Sequence, residues 1–301
     1  MLVESFIQHL RYERNYSSHT VFSYQKDLEQ FEKYILWQEG MFDPLVMESA
    51  WVRGWVVCLM ESGYSPSSVN RKLSSLKSFY KFLQKKGLLA SSPVRLVSGP
   101  KLSRRLPGFV KEADMEALLD ESVLGDSALG EMFDDVRDKL ILDVFYSTGI
   151  RRFELISLRN GDVDLGACQI KVTGKRNKQR IVPFGDKLKQ HIVLYIAERR
   201  KIMGGEDLVD APFFVRKNGV ALTPSFVYTM VKKQLAFVDG ISRRSPHVLR
   251  HTFATTMLNN GASLNAVKEV LGHASLASTE VYTHTSFEEL KKSYGFAHPR
   301  S

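Results

Sequence analysis

Apolar residues recur at spacings of three and four along most of the chain, a rhythm that predicts a mainly helical protein. Val21, Tyr24, Leu28, Phe31 and Ile35 mark one helix, which Ser17 and Ser18 can cap. A second carries Trp51, Trp55 and Leu59. A third follows Ser65-Pro66 and turns Val69, Leu73, Leu76, Tyr80 and Leu83 inward. It stops at Lys85-Lys86-Gly87, where cations suit the helix dipole and glycine suits the left-handed cap. Its outward face is read as Arg71, Lys72, Lys77 and Lys81 among Ser74, Ser75 and Ser78. Such a face is a candidate DNA-contacting surface, because small polar residues let a phosphate backbone come close; a solvated helix face would look the same.

The helical pattern breaks between Ser98 and Gly108, where two Pro/Gly elements accompany Lys101, Arg104 and Arg105. Residues 1–96 therefore read as one helical domain, 97–108 as a basic linker, and 109–301 as a second, larger domain. In the last, Val136, Leu140, Ile141, Val144 and Phe145 form an amphipathic stripe that ends at Thr148-Gly149. Gln169–Val172 and Gln179–Pro183 flank a polar tip, Thr173 to Lys178, as in a β-hairpin. Helices resume from Lys187 to Arg200 and after Thr223-Pro224. The predicted fold is mainly α with a small antiparallel β-sheet in the second domain.

Lys and Arg number 42 against 33 for Asp and Glu, a formal charge of +9, which favours a polyanionic partner. Cys58 and Cys168 are the two cysteines and form no CxxC pair, so a reducing compartment without disulfides is expected. The first residues lack the pattern of a secretory leader and no long apolar run is present, from which a cytoplasmic location is expected.

The richest stretch for chemistry is Ser245-Pro246-His247-Val248-Leu249-Arg250-His251. Ser245 is a good cap and Pro246 a good first residue, so His247 and Arg250 stand side by side at a helix N-terminus, in principle an anion site. Arg151 after the Thr148-Gly149 stop, Lys175 at the hairpin tip, His273 and Tyr282 could share that point. Each alone has an ordinary structural explanation, and the case rests on their combination.

That combination resembles the tyrosine recombinase family. Thr148 to Leu155 looks like its first arginine motif, His247 to Ala254 matches its His-x-x-Arg box, and Gly174-Lys175 matches its hairpin lysine. Leu271-Gly272-His273 and Tyr282 follow at the family's spacing. The likeness extends through the N-terminal domain and is nearest to the Xer branch, whose members resolve chromosome dimers. One departure is Arg152, where a small or apolar residue often follows the first arginine.

The resemblance implies a two-domain DNA clamp, with 1–96 as the core-DNA-binding domain and 109–301 as the catalytic domain with a C-terminal tail, and a site-specific DNA recombinase with Arg151, Lys175, His247, Arg250, His273 and Tyr282 as catalytic residues. Arg71, Lys72, Lys77, Lys81, Arg104 and Arg105 are the candidate DNA-binding residues. The two catalytic arginines would hold the nonbridging phosphate oxygens. His247 and His273 would add hydrogen bonds there or help move the Tyr282 proton, and Lys175 would protonate the departing 5′-oxygen. A 3′-phosphotyrosyl link retains the phosphoester energy, so no cofactor and no metal are expected. The implied partners are a double-stranded recombination site, a homotetramer or a heterotetramer with a paralogous recombinase, and a DNA translocase as regulator. Phe287, Leu290 and Tyr294 would form an apolar tail stripe that docks on a neighbouring subunit or packs on its own.

Four other readings compete. A mobile-element integrase would share the chemistry, and a type IB topoisomerase would share it without strand exchange. His247 and His251 at i and i+4 could begin a zinc site, but Val248 stands where a zinc-protease helix carries Glu. Ser263 to Ser275 has the rhythm of a helix-turn-helix regulator, which would leave Arg151, Lys175 and Tyr282 without roles.

Overall fold

The structure is a computed structural model, and it describes residues 2–102, 108–119, 129–174, 177–204, 208–241, 243–272 and 294–300. The chain divides into two compact units, Met1–Arg105 and Leu106–Ser301.

The first unit is built from α1 (Leu2–Gln8), continued by a π-helical turn (His9–Glu13), then α2 (Ser18–Glu39), α3 (Ser49–Glu61) and α4 (Pro66–Lys85). Ser17 and Ser65 cap α2 and α4 through their side chains, accepting from Thr20 N and Ser68 N. The stripes predicted for α2 and α4 face inward; Trp55 of α3 meets Phe31 of α2 edge-on, ring centroids 5.0 Å apart. The segment after α4 belongs to this unit further than its composition suggests. Val94 and Val97 are buried in its core, and Asn70 Nδ2 donates to Pro100 O at 2.8 Å.

The second unit contains α5 (Glu112–Leu119), α6 (Leu129–Thr148) and α7 (Arg152–Ser157), then β1 (Val163–Asp164), β2 (Gln169–Thr173) and β3 (Gln179–Pro183). After these come α8 (Asp186–Met203), α9 (Pro224–Gln234), α10 (Pro246–Asn259) and α11 (Leu264–Leu271). The sheet is antiparallel in the order β1-β2-β3, with Thr173 opposite Gln179 at the hairpin end. The stripe expected on α6 widens into full burial: every residue from 140 to 150 is buried, and both α8 and α10 pack against α6.

The C-terminal residues close this unit. Tyr294, Ala297, His298 and Arg300 are buried, and Arg300 reaches Asp143 of α6 with Nε and Nη2, each 3.1 Å from a carboxylate oxygen. Arg300 N donates to His298 Nδ1 at 3.2 Å, which fixes Nδ1 as the acceptor nitrogen and leaves Nε2–H to donate to Tyr146 O, also at 3.2 Å. Tyr294 stacks on His298 with its ring 5.1 Å away. Tyr294 is thus packed against its own unit and is unavailable, in this arrangement, to the stripe considered for a neighbouring subunit. Phe287 and Leu290 lie outside the described residues.

Candidate active site

The site is assembled where four chain segments meet: the α6–α7 turn, the β2–β3 hairpin, the start of α10 and the end of α11. Gly149 terminates α6 at φ +60°, and a side chain there would collide with Phe253 and Leu271, since a Cβ would lie 2.5 and 2.8 Å from their carbons. This turn delivers Arg151 to the N-cap of α7 and leaves the Gly149 carbonyl pointing toward α10. Arg250, on the first turns of α10, donates to that carbonyl at 2.5 Å and to Leu271 O at 2.6 Å. Arg151 donates to the next carbonyl along, Gly272 O, at 3.1 Å. Both arginines are therefore oriented by main-chain oxygens at the end of α11.

Between them stands Glu154, 3% exposed. It receives Arg151 Nη1 at 2.8 Å and Arg151 N at 2.8 Å, and Arg180 of β3 grips both its oxygens at 2.9 Å. Arg180 Nε also donates to Val270 O at 2.6 Å, tying the sheet to α11. Burial alone would raise the Glu154 carboxyl, but the Arg180 bonds, the Arg151 backbone N–H and the arginine charges win and hold it down at about 2. The Arg250 guanidinium is pushed down to about 10, first by burial and then by the charge of Arg151, with Glu154 opposing the shift. It remains a cation at neutral pH. Three guanidiniums against one carboxylate leave an excess of positive charge in a poorly hydrated place, which suits an anion with more than one oxygen.

The remaining expected residues divide into two groups. His247 is the second residue of α10 and exposed. Ser245 occupies the cap position, φ −158° and ψ 161°, but its side chain makes no capping bond; Val248 N reaches its carbonyl instead. Lys175, His273 and Tyr282 lie outside the described residues, as do Arg104 and Arg105. Two of these adjoin residues that touch the arginine cluster. Gly174, before Lys175, sits so close to Glu154 that a Cβ would be 3.3 Å from its Oε1, and Gly272, before His273, supplies the carbonyl bound by Arg151.

Of the candidate DNA-contacting residues, Lys77 and Lys81 are exposed on α4 and Arg71 is half-exposed. Lys72 is a correction. It is 8% exposed, its ammonium lies 3.0 Å from buried Asp27 Oδ1 and it sits over the Tyr64 ring; Ser75, 1% exposed, donates to Asp27 as well. Both fall on the side of α4 that carries Val69, Leu73 and Leu76, and a buried carboxylate there supplies the partner that a buried ammonium needs. Glu154 and Arg180 join the site although neither stands among the residues expected from the sequence. The signal for Glu154 was its place three residues after Arg151, an ion-pair spacing on a helix start.

Among the described residues no three His, Cys, Asp or Glu side chains gather as a metal site would need, and no described helix is long and apolar enough to cross a membrane.

A model of the phage integrase family matches residues 109–289, and one of the SAM-like N-terminal domain of phage integrases matches residues 3–87. Tyrosine recombinase XerC of Chlorobaculum tepidum is 40% identical over 317 residues, covering 98% of this chain and 94% of its own. The protein of that name from Bacillus licheniformis is 38% identical over 299 residues, covering 98% and 95%. In fold, the chain resembles the XerH site-specific recombinase solved bound to palindromic difH substrate in a post-cleavage complex. The TM-score is 0.70 at 22% identity, over 97% of this chain and 82% of that one. The Tn1549 transposon integrase, solved with circular intermediate DNA, gives 0.68 at 19% identity, over 96% and 98%. On this evidence the chain belongs to the phage integrase family, as a tyrosine-type site-specific DNA recombinase.

Proposed function

We propose that the chain cleaves and rejoins DNA at a recombination site through a covalent bond between Tyr282 and a 3′-phosphate. The observation that carries this reading is the convergence of Arg151 and Arg250 on carbonyls of consecutive residues, Leu271 and Gly272, directly before His273. Two fixed planar cations held this way stabilise the charge that shifts onto the nonbridging oxygens as phosphorus is attacked. The Tyr282 oxygen bonds to phosphorus while the bond to the 5′-oxygen breaks. The phenol proton leaves with help from His247 or His273, and Lys175 gives a proton to the 5′-oxygen. Attack by the 5′-hydroxyl of another strand reverses each step, so the phosphoester is conserved and no nucleotide cofactor is consumed. Glu154 and Arg180 act as positioning residues for Arg151.

The role we assign is chromosome dimer resolution in the cytoplasm, supported by relatives of about 40% identity that bear the XerC name. The working form is a DNA-bound tetramer, of one chain or with a paralogue and regulated by a DNA translocase, in which the two units clamp the duplex and α4 supplies phosphate contacts through Arg71, Lys77 and Lys81. Suicide duplexes nicked beside the cleavage point test the chemistry. Wild type should form a protein–DNA adduct stable on a denaturing gel, whereas Tyr282→Phe should bind the duplex normally and form none. A normal yield of adduct from the variant would overturn the assignment.

A further inference from the structure

In the first unit, one carboxylate is buried with more positive charge around it than it can neutralise. Asp27 of α2 is 2% exposed. Arg71 engages it with both terminal nitrogens, Nη2 at 2.8 Å from Oδ1 and Nη1 on Oδ2; Lys72 Nζ lies 3.0 Å from Oδ1 and Ser75 Oγ 2.7 Å from Oδ2. The two cations differ in exposure. The Lys72 side chain is 10% exposed, whereas that of Arg71 is 51% exposed although its end is fixed on both carboxylate oxygens.

A buried ammonium and one hydroxyl would have sufficed to pair Asp27, so the half-exposed arginine is surplus to that need. Its geometry has a use. A guanidinium carries five N–H donors, and an end-on grip on a carboxylate engages two of them, leaving the Nε edge and one outer N–H for another anion. A free surface arginine loses rotamer entropy when an anion fixes it. Arg71 has been ordered in advance, and it stands on the face of α4 that also exposes Ser74, Lys77 and Lys81.

We infer that Asp27 is a positioning residue for DNA recognition: it holds Arg71 with its unused donors presented to a backbone phosphate. This rests on the reading of the exposed α4 face as a DNA-contacting surface. Asp27 itself does not repel the phosphate decisively, because its one negative charge is enclosed by two cations and the group remains net positive.

The test exploits a difference in sign. Asp27→Asn adds one unit of positive charge, so charge alone predicts tighter DNA binding, whereas loss of positioning predicts weaker binding. Affinity of the full chain for a mixed-sequence duplex should be measured by anisotropy across a range of salt, with melting curves to establish folding. Asp27→Asn and Arg71→Ala are each expected to weaken binding roughly ten-fold, the weight of one charge-assisted hydrogen-bonded contact. In the Arg71→Ala background, Asp27→Asn should add little, a non-additivity that general destabilisation would not produce. Should Asp27→Asn fail to fold, Arg71→Lys decides, since it leaves Asp27 with Lys72 and Ser75. It should bind nearly as poorly as Arg71→Ala despite its unchanged charge.

Wild-type affinity in Arg71→Lys, or equal or tighter binding by folded Asp27→Asn, would overturn the inference. If Lys77→Ala and Lys81→Ala still weaken binding and lower the salt slope by about one each, the DNA-facing reading of α4 survives that failure. If Arg71→Ala, Lys77→Ala and Lys81→Ala all bind as wild type, that reading falls and the role of Asp27 falls with it.

Discussion

The Asp27 and Glu154 clusters share one plan: a buried carboxylate holds one buried cation and one partly exposed arginine. In the first unit these are Lys72 and Arg71; in the second, Arg180 and Arg151, whose side chains are 7% and 38% exposed. The difference lies in what surrounds them. Around Asp27 the second cation is a lysine, a single charge on a flexible stem, and the cluster ends at the helix surface. Around Glu154 the second cation is a planar guanidinium that grips both oxygens and also bonds the backbone of α11, while Arg250 adds a further charge beside it. On the proposed reading, the first cluster has one arginine to order for a DNA phosphate. Holding a phosphate while its bonds change requires an ordered array, and that array must be tied to every segment that brings a reacting group.

The sharpest way to break this comparison is to separate chemistry from affinity. Lys175→Ala should slow cleavage by ~10²–10⁴-fold with affinity nearly unchanged, the weight of one general acid. A duplex with sulfur at the bridging 5′-position should restore that variant, because a thiolate departs without a proton. Arg151→Ala should gain far less. Equal rescue of both, or none for Lys175→Ala, would assign the proton to another donor, with Arg176 or Lys178 next.

Arg151→Ala and Arg250→Ala should each lower single-turnover cleavage at saturating DNA by ~10²–10³-fold. Arg71→Ala should change the same rate by no more than a few-fold once the DNA is saturating. A large loss of saturated rate in Arg71→Ala would erase the distinction between the clusters.

Stability offers a finer measure. Glu154→Gln strands Arg180 in a dry place and should cost the second unit about 3–5 kcal/mol. Asp27→Asn should cost less, since it strands Lys72 alone, whereas Glu154→Gln leaves Arg180 beside a second buried cation, Arg250. Denaturant titrations of the two variants check the order, and equal losses would contradict it.

The last expected effect is a pH dependence in the second unit. Burial pushes the His298 imidazole down to about 4, more than the opposing Tyr146 bond and Asp143 charge restore. Its ordinary value is 6.5, so between 6.5 and 4 the unfolded chain binds the extra proton and the folded one does not. The stabilisation is complete above 6.5 and is lost as pH falls to about 4, on the order of 3 kcal/mol in all. The Glu154 contribution goes later, as pH falls from 4.5 through about 2. Melting temperatures of wild type should therefore fall more steeply than those of His298→Gln between pH 6.5 and 4, and parallel curves would contradict the buried neutral ring.

The helices of the first unit were legible because a stripe such as Val69, Leu73, Leu76, Tyr80 and Leu83 is a local signal. The charge of Lys72 suggests the solvent face, but its phase sets it on the buried side, three residues after Val69 and four before Leu76. The same conflict hides Arg180. In β3, alternation by polarity would turn Ile181 inward, yet Ile181 is 41% exposed and Arg180 is 7% exposed, because Glu154 lies on the buried face. Arg151 and Arg250 could be found from their motifs. Apart from Glu154, their acceptors could not, since Gly149, Leu271 and Gly272 bind through main-chain oxygens that no side-chain pattern records.

That choice of acceptor has a consequence for how the site tolerates change over generations. A side-chain acceptor can be deleted by one substitution, whereas a carbonyl is present whatever residue occupies the position. The orientation of Arg250 is thus insulated from most point changes in its surroundings and exposed to a few that bend the backbone. Among the described residues that supply these carbonyls, Gly149 and Gly272, at φ +60° and +62°, are where a side chain would force such a bend. A substitution library covering the residues around Arg250 should therefore show broad tolerance interrupted at these two glycines, although neither has a side chain with which to do chemistry.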